Sequence, residues 1–288
     1  KGFTPMKFAG AHYANKLNGG GGIDTLTGGF DSNGDILDGG AESDELKSGN
    51  YAKNTTFSGG IGDDTLTGGE LNDTYLYNLG DGKDTIYEQR KGNYRSSGVD
   101  KLIFGDSISE ADITVSRDNL DLVLSHNNGI DQITVKDWFK HYYDAGDFKL
   151  EQIEFYDGTV WQAQELTTQL MIQNGDDGAD TLTGLDKRYI EIIVDTEVRE
   201  YTYSNFLVSD ANILNGGGGN DTLTSGIASR NDILTGGDGE DTLIAARYSS
   251  NTTLEGGAHD DTLIVHEDAK GTILRGGAGE DTLTADWG

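Results

Sequence analysis

One nonapeptide returns at a fixed spacing of 20 residues, and that regularity leaves few folds open. Gly216-Gly-Gly-Gly-Asn-Asp-Thr-Leu-Thr224 recurs with starts at 236, 256 and 276, and the same design begins at 19, 39, 59 and 79. Each 20-residue unit is therefore nine residues plus eleven. The eighth residue of the nine is apolar throughout: Leu26, Leu46, Leu66 and Ile86, then Leu223, Leu243, Leu263 and Leu283. The eleven-residue half carries a second apolar rank, Leu17, Leu37, Phe57 and Tyr77, then Leu214, Leu234, Leu254 and Leu274. Two short strands per unit, each with one inward side chain, would lie on opposite walls of a coil. A single coil cannot bury its own apolar residues, so at least ~3 must stack. The pattern predicts an all-β chain built as a right-handed parallel β-roll in two blocks.

Composition narrows the partners. The chain holds 50 acidic against 21 basic residues, a net charge of −29, with 43 glycines, one proline and no cysteine. Disulfide scaffolds are excluded. A surface of that sign repels nucleic acid. No run approaches the ~18 apolar residues of a membrane-spanning helix, and collagen would need glycine at every third residue. The chain begins at Lys1 and stops at Trp287-Gly288 within its own pattern, which reads as part of a longer protein.

The pattern Gly-Gly-x-Gly-x-Asp-x-(apolar)-x resembles the RTX nonapeptide of proteins exported by type I secretion. Across roughly 19–87 and 175–284 it does so many times in register. The resemblance implies calcium. That ion takes about 6–8 oxygens at about 2.3–2.6 Å, and backbone carbonyls serve beside carboxylates. Glycines permit the positive φ that turns successive carbonyls toward one point. In the family one ion lies between stacked loops. One loop gives the carbonyls of positions two and four with its Asp; the next gives those of positions one and three with its Asp.

Carried over by position, Gly20, Gly22 and Asp24 face Gly39, Ala41 and Asp44. Gly40, Glu42 and Asp44 face Gly59, Ile61 and Asp64, and Gly60, Gly62 and Asp64 face Leu79, Asp81 and Asp84. In the second block Gly217, Gly219 and Asp221 face Gly236, Asp238 and Asp241. Gly237, Gly239 and Asp241 then face Gly256, Ala258 and Asp261, and Gly257, His259 and Asp261 face Gly276, Ala278 and Asp281. Asp180, in Gly175-Asp-Asp-Gly-Ala-Asp180, restarts the series. That makes six Ca²⁺ sites, which would take the charge from −29 to about −17. Glu42 and His259 stand where glycine is usual, so weaker, poorly aimed sites are expected there. The eleven-residue halves lack the motif, so calcium is expected along one edge only, with hydrogen bonds and packing along the other.

Between the blocks the glycine code lapses. Strands are expected at Ile113–Val115, Leu120–Leu124, Gln132–Val135 and Gln152–Phe155, with a short helix from Ala163 to Ile172. Asn72-Asp-Thr-Tyr-Leu-Tyr77, Asp100-Lys-Leu-Ile-Phe-Gly105, Val135-Lys-Asp-Trp-Phe139 and Ile153–Trp161 look like the haemolysin-type calcium-binding-related module, and Gly98-Val-Asp100 would supply half a calcium loop. The aromatic residues Trp138, Phe139, Tyr142, Tyr143, Phe148, Phe155, Tyr156 and Trp161 are expected to be the core of a small β domain. The expected division is a cap at 1–18, a first roll block at 19–98, the module at 99–172, degenerate coils at 173–215 and a second block at 216–288. One degenerate coil, through Ile190–Val194 and Tyr201–Val208, is expected to keep its place in the stack.

Catalytic signatures are missing: there is no His-Glu-x-x-His, Gly-x-Ser-x-Gly or Gly-Lys-Ser/Thr. The expected function is thus a non-catalytic, secreted calcium-binding segment of a toxin or adhesin that folds outside the cell. It would meet the type I secretion machinery, and the cell surface, through its parent protein. The alternatives are a receptor- or glycan-binding module of an adhesin, or the RTX domain of a secreted lipase or protease.

Overall fold

A computed structural model describes residues 13–69, 71–88, 98–139, 148–184, 192–194, 197–199 and 211–285. It divides into two compact units, Lys1–Thr167 and Thr168–Gly288. The fold is a parallel β-roll with one short helix, Ala163–Leu170.

In the first unit, Lys16–Gly21, Ile36–Ala41, Thr56–Ile61, Thr74–Tyr77, Lys101–Phe104 and Gln152–Glu154 form successive parallel strands of one sheet, closed by antiparallel Val160–Gln162. The facing sheet runs Thr25–Thr27, Glu45–Lys47, Thr65–Thr67, Lys83–Tyr87 and Gln132–Val135 in parallel, then turns antiparallel through Asp121–His126 and Ile113–Asp118. Residues 99–172 therefore add strands to both sheets of the roll while dropping its glycine code. Their inward residues keep the register: Ile86 aligns with Val135, and Tyr75 with Leu102.

The core is two apolar ladders between the sheets. Leu26, Leu46, Leu66, Ile86, Val135 and Leu122 make one, all buried. The other differs from the sequence reading at one step. Phe57 aligns with Tyr75, not with Tyr77, because the coil from Phe57 is 18 residues long instead of 20. Their rings stack 5.0 Å apart at 8°. Tyr77 is also buried, against Phe104. Some of the module's aromatics lie in the same interior: Phe104 stacks on Phe155, Phe155 meets Trp161 edge-on, and fully buried Trp138 donates its indole N–H to Thr167 Oγ1 at 3.0 Å, whereas Tyr156, expected in the core, is exposed. Tyr142 and Tyr143 lie outside the described residues.

In the second unit five parallel strands face five more, and Leu214, Leu223, Leu234, Leu243, Leu254 and Leu263 form the buried cluster. Here the degenerate-coil expectation is corrected. Ile172–Asn174 pairs directly with Ile213–Gly218, and Thr181–Thr183 with Thr222–Thr224, so no coil stands between them. Ile192–Val194 pairs antiparallel with Glu197–Arg199 in a separate two-stranded sheet. This intervening stretch has neither the paired glycines nor the Asp that would tie it to a neighbouring coil. Tyr201–Val208 and Ile190 lie outside the described residues.

Where the chain passes from second sheet to first, the coils are joined by hydrogen bonds. Asp35 Oδ2 accepts Gly29 N–H at 2.7 Å and the Ser32 hydroxyl at 2.5 Å, while Oδ1 accepts Asn15 N–H at 2.8 Å. Asp232 repeats this with Gly226 N–H, the Ser229 hydroxyl and Asn212 N–H. One period later Thr252 takes the aspartate's place, and its Oγ1 is buried without a hydrogen-bond partner. An unbonded buried hydroxyl is a liability that an apolar isostere removes. Thr252→Val is expected to be neutral or to stabilise the calcium-loaded chain by up to about 1 kcal/mol. Asp232→Ala, which strands two N–H groups and a hydroxyl, should cost about 3 kcal/mol. Denaturant unfolding in saturating calcium checks both; equal losses would contradict this account of the edge.

Candidate metal centre

On the opposite edge, where the chain passes from first sheet to second, the motif loops stack. The sixth-position aspartates form a ladder. Asp24 N–H donates to Asp44 Oδ1 at 2.7 Å, Asp44 N–H to Asp64 Oδ1 at 2.7 Å and Asp64 N–H to Asp84 Oδ1 at 3.0 Å. In the second unit Asp180, Asp221 and Asp241 donate likewise to Asp221, Asp241 and Asp261 at 2.8–2.9 Å, and Asp261 to Asp281 at 3.0 Å. One carboxylate oxygen thus joins each coil to the one before it.

The second oxygen is the informative one. Oδ2 of Asp24, Asp44, Asp64, Asp84, Asp221, Asp241 and Asp261 is buried with no hydrogen-bond partner. A buried carboxylate oxygen with nothing to bond is costly by several kcal/mol, and native folds do not repeat such a cost at every coil without a ligand to offset it. Backbone oxygen lies alongside. A Cβ placed on Gly19 would lie 2.6 Å from both Asp24 Oδ2 and the Gly39 carbonyl oxygen. Cβ atoms on Gly216, Gly236 and Gly256 would lie 2.5 Å from the carbonyls of Gly236, Gly256 and Gly276, and each would also strike its own loop's aspartate. The first-position carbonyl of one loop and the Asp of the preceding loop therefore share one narrow space, open only because position one has no side chain.

Positions two and four hold the turn. Gly20, Gly40, Gly60, Gly217, Gly237, Gly257 and Gly277 have φ between 93° and 124°. Gly22, Gly62, Gly82, Gly219, Gly239 and Gly279 lie between 100° and 151°. Glu42 and His259 adopt the same left-handed backbone, at φ 75° and 82°. The left-handed backbone costs about 1 kcal/mol of strain at each of these non-glycine residues. Third-position Ala41 and Ile61, and Asp238, Ala258 and Ala278, align in register at the strand ends.

Two loops depart from the series. Leu79-Gly-Asp-Gly-Lys-Asp84 keeps the turn, with Gly80 at φ 93° and Gly82 at 101°. The ladder nevertheless ends there, because Ile133 occupies the register position of Asp84 in the next coil. Asp131 closes the loop by accepting Gly80 N–H at 2.8 Å and Gly82 N–H at 3.1 Å, and Asp81 Oδ2 accepts Asn78 N–H. Asp180 differs again: its Oδ2 accepts Asp176 N–H at 2.9 Å, and so is not left over like the others. Asp281, at the last described coil, accepts from Asp261 and continues the series. Sequence reasoning passed over Asp131, which sits in Asn128-Gly-Ile-Asp131, a loop short of its first glycine.

The electrostatics match this reading. With no cation, burial first and neighbouring carboxylates second push the Asp64 carboxyl up to about 6 and Asp84 up to about 8. Asp44, Asp241 and Asp261 are raised for the same reasons. Seven hard oxygens, all buried, with a first-position carbonyl beside those of Asp24, Asp44, Asp221, Asp241 and Asp261, form a donor set that suits calcium. Bound there, a divalent ion would supply the counter-charge that keeps these carboxylates ionised. In the unfolded chain they ionise near 3.9. Between about pH 4 and about 6–8 the cation-free fold thus holds more protons than the unfolded chain, and its stability falls as pH rises through that window. In chelator, β-structure is expected to grow as pH drops from about 7.5 to about 4.5. Circular dichroism reads this directly, and a pH-independent spectrum in chelator would contradict it.

Comparisons with known proteins agree with this geometry. The model of the RTX calcium-binding nonapeptide repeat matches residues 52–75, 209–227, 228–247 and 271–288. The model of the haemolysin-type calcium binding protein related domain matches residues 121–165. No curated protein matches the chain. Among solved structures, the extracellular lipase LipA from Serratia marcescens is similar at 17% identity and a TM-score of 0.22, over 87% of this chain and 33% of the lipase. The chain thus spans about a third of that protein's length. The chain thus carries RTX calcium-binding nonapeptide repeats, with their ladder of half-bonded aspartates, and between them a haemolysin-type calcium-binding-related domain.

Proposed function

We propose that this chain is a calcium-driven folding segment of an exported protein, without catalysis of its own. The observation behind this reading is the row of seven buried Oδ2 atoms that no protein group satisfies. Each coil buries two leucine-sized side chains, worth about 1.5–3 kcal/mol apiece. Ordering its backbone opposes that gain at every residue. The apolar term alone does not order a coil, and the aspartates oppose ordering until a cation joins them. Metal binding free energy then becomes folding free energy.

That coupling suits export. Extracellular modules bind calcium at about 10⁻⁴–10⁻³ M, so a chain of this kind stays extended where calcium is scarce and stiffens where it is plentiful. The reading favours a secreted protein of the toxin or adhesin kind. Gly216-to-Asp281 residues would hold the ions in one unit and Gly20-to-Asp84 residues in the other.

Small-angle scattering tests the coupling. In chelator the radius of gyration should approach roughly 60 Å, the value for an unfolded chain of this length, and fall to less than half of that in millimolar calcium. Asp241→Asn, which weakens the ligand shared by two adjoining loops, should move the calcium midpoint upward several-fold. A chain equally compact in chelator would overturn the proposal.

A further inference from the structure

The stretch from Lys101 to Thr167 shares the two sheets of the roll but is joined by different means. Ile113–Asp118, Asp121–His126 and Gln132–Val135 form an antiparallel meander, and Gln152–Glu154 with Val160–Gln162 an antiparallel hairpin. Asp118 aligns with Asp121, so the first turn is tight, with Asn119 at φ 52°. Such pairs close locally, whereas the parallel strands of the roll meet a partner only after a whole coil.

Its carboxylates differ as well. Asp131, 2% exposed, accepts an Asn128 Nδ2 hydrogen at 2.8 Å besides the two loop N–H groups. Asp121 pairs with Lys136 and accepts Asp137 N–H at 2.8 Å, and Glu154 meets Lys101 Nζ at 2.6 Å. Asp112 accepts the Ser109 hydroxyl at 2.6 Å and the Asn127 amide at 3.0 Å. Among the described residues, no buried carboxylate oxygen between 101 and 167 is left without a partner. The desolvation cost that calls for a cation in the coils is absent here.

The interior is also richer in large side chains. Leu102, Phe104, Trp138, Ile153, Phe155 and Leu166 are at most 4% exposed, and Trp138 is fixed to the helix through Thr167. Lys101–Phe104, Gln152–Glu154 and Val160–Gln162 make one sheet of this core and the meander makes the other. Three strands a side over a shared apolar interior meet the requirement for independent stability that a lone coil does not.

We propose that residues 101–167 fold without calcium and are the template on which the calcium-dependent coils of the first unit assemble. The inference rests on calcium-driven folding of those coils and adds where it starts. Two parallel edges make the template: Lys101–Phe104 pairs with Thr74–Tyr77, and Gln132–Val135 with Lys83–Tyr87. With both edges standing, the adjoining coil has strand partners and an apolar wall from the outset, and need not wait for ~3 coils to stack. Folding then runs from this module toward the Lys16–Gly21 and Thr25–Thr27 strands.

Hydrogen–deuterium exchange of the full chain, read by mass spectrometry in chelator and at rising calcium, tests both halves. In chelator the amides of Asp121–His126 and Gln132–Val135 should exchange about tenfold or more slowly than those of residues 25–67 and 222–265. Exchange as fast in the module as in the coils overturns the proposal and leaves calcium-driven folding standing; coils protected in chelator overturn both. As calcium rises, Thr74–Tyr77 and Lys83–Tyr87 should gain protection at a lower concentration than Lys16–Gly21 and Thr25–Thr27. A simultaneous gain, or the reverse order, removes the template. Trp138→Ala, which empties the module's core, should raise the calcium midpoint of residues 16–67 several-fold while residues 213–285 keep theirs; an unmoved midpoint for 16–67 also overturns the proposal. The order of protection is read on the unaltered chain, so it decides the matter even where that variant fails to fold.

Discussion

Everything in this roll rests on a carboxylate that is only half bonded. Sixth-position aspartates such as Asp221, Asp241 and Asp261 give one oxygen to an N–H of the preceding coil and keep the other buried and unmatched. The first half of that arrangement is a structural joint. The second half is a debt in desolvation that only a cation discharges. Because the aspartates are in register, the debt accumulates with every added coil, and so does the counter-charge once calcium enters.

The two edges solve the same problem by different chemistry. At Asp35 and Asp232 the carboxylate is filled by a serine hydroxyl and backbone N–H groups, which leaves little for a metal to do. At Asp24 or Asp241 the glycines turn the backbone so that carbonyls, not N–H groups, line the space beside the carboxylate. The local sequence thus decides which edge needs an ion. Glycine at position one admits the neighbouring carbonyl; serine three residues before the aspartate replaces the need for it.

Much of this was readable from spacing alone. The period of 20, the two apolar ladders and the ladder of aspartates all follow from residues that repeat at fixed places, and the strands pair in that register. The reading failed where a repeat loses its geometry. Tyr75 takes the ladder position expected of Tyr77 because the coil shortens by two residues, which a fixed period cannot show. The stretch between Gly184 and Ala211 was given a coil because 41 residues is close to two periods, yet the flanking strands pair directly.

The central claim is that cations complete the fold instead of decorating it. Far-UV circular dichroism of the full chain during a calcium titration, with magnesium as control, tests it most directly. The account predicts a cooperative passage from coil to β-structure at sub- to low-millimolar calcium, with no comparable change in magnesium. A chain whose β-signal is complete in chelator and unmoved by calcium would show that the apolar ladders suffice, and would contradict it.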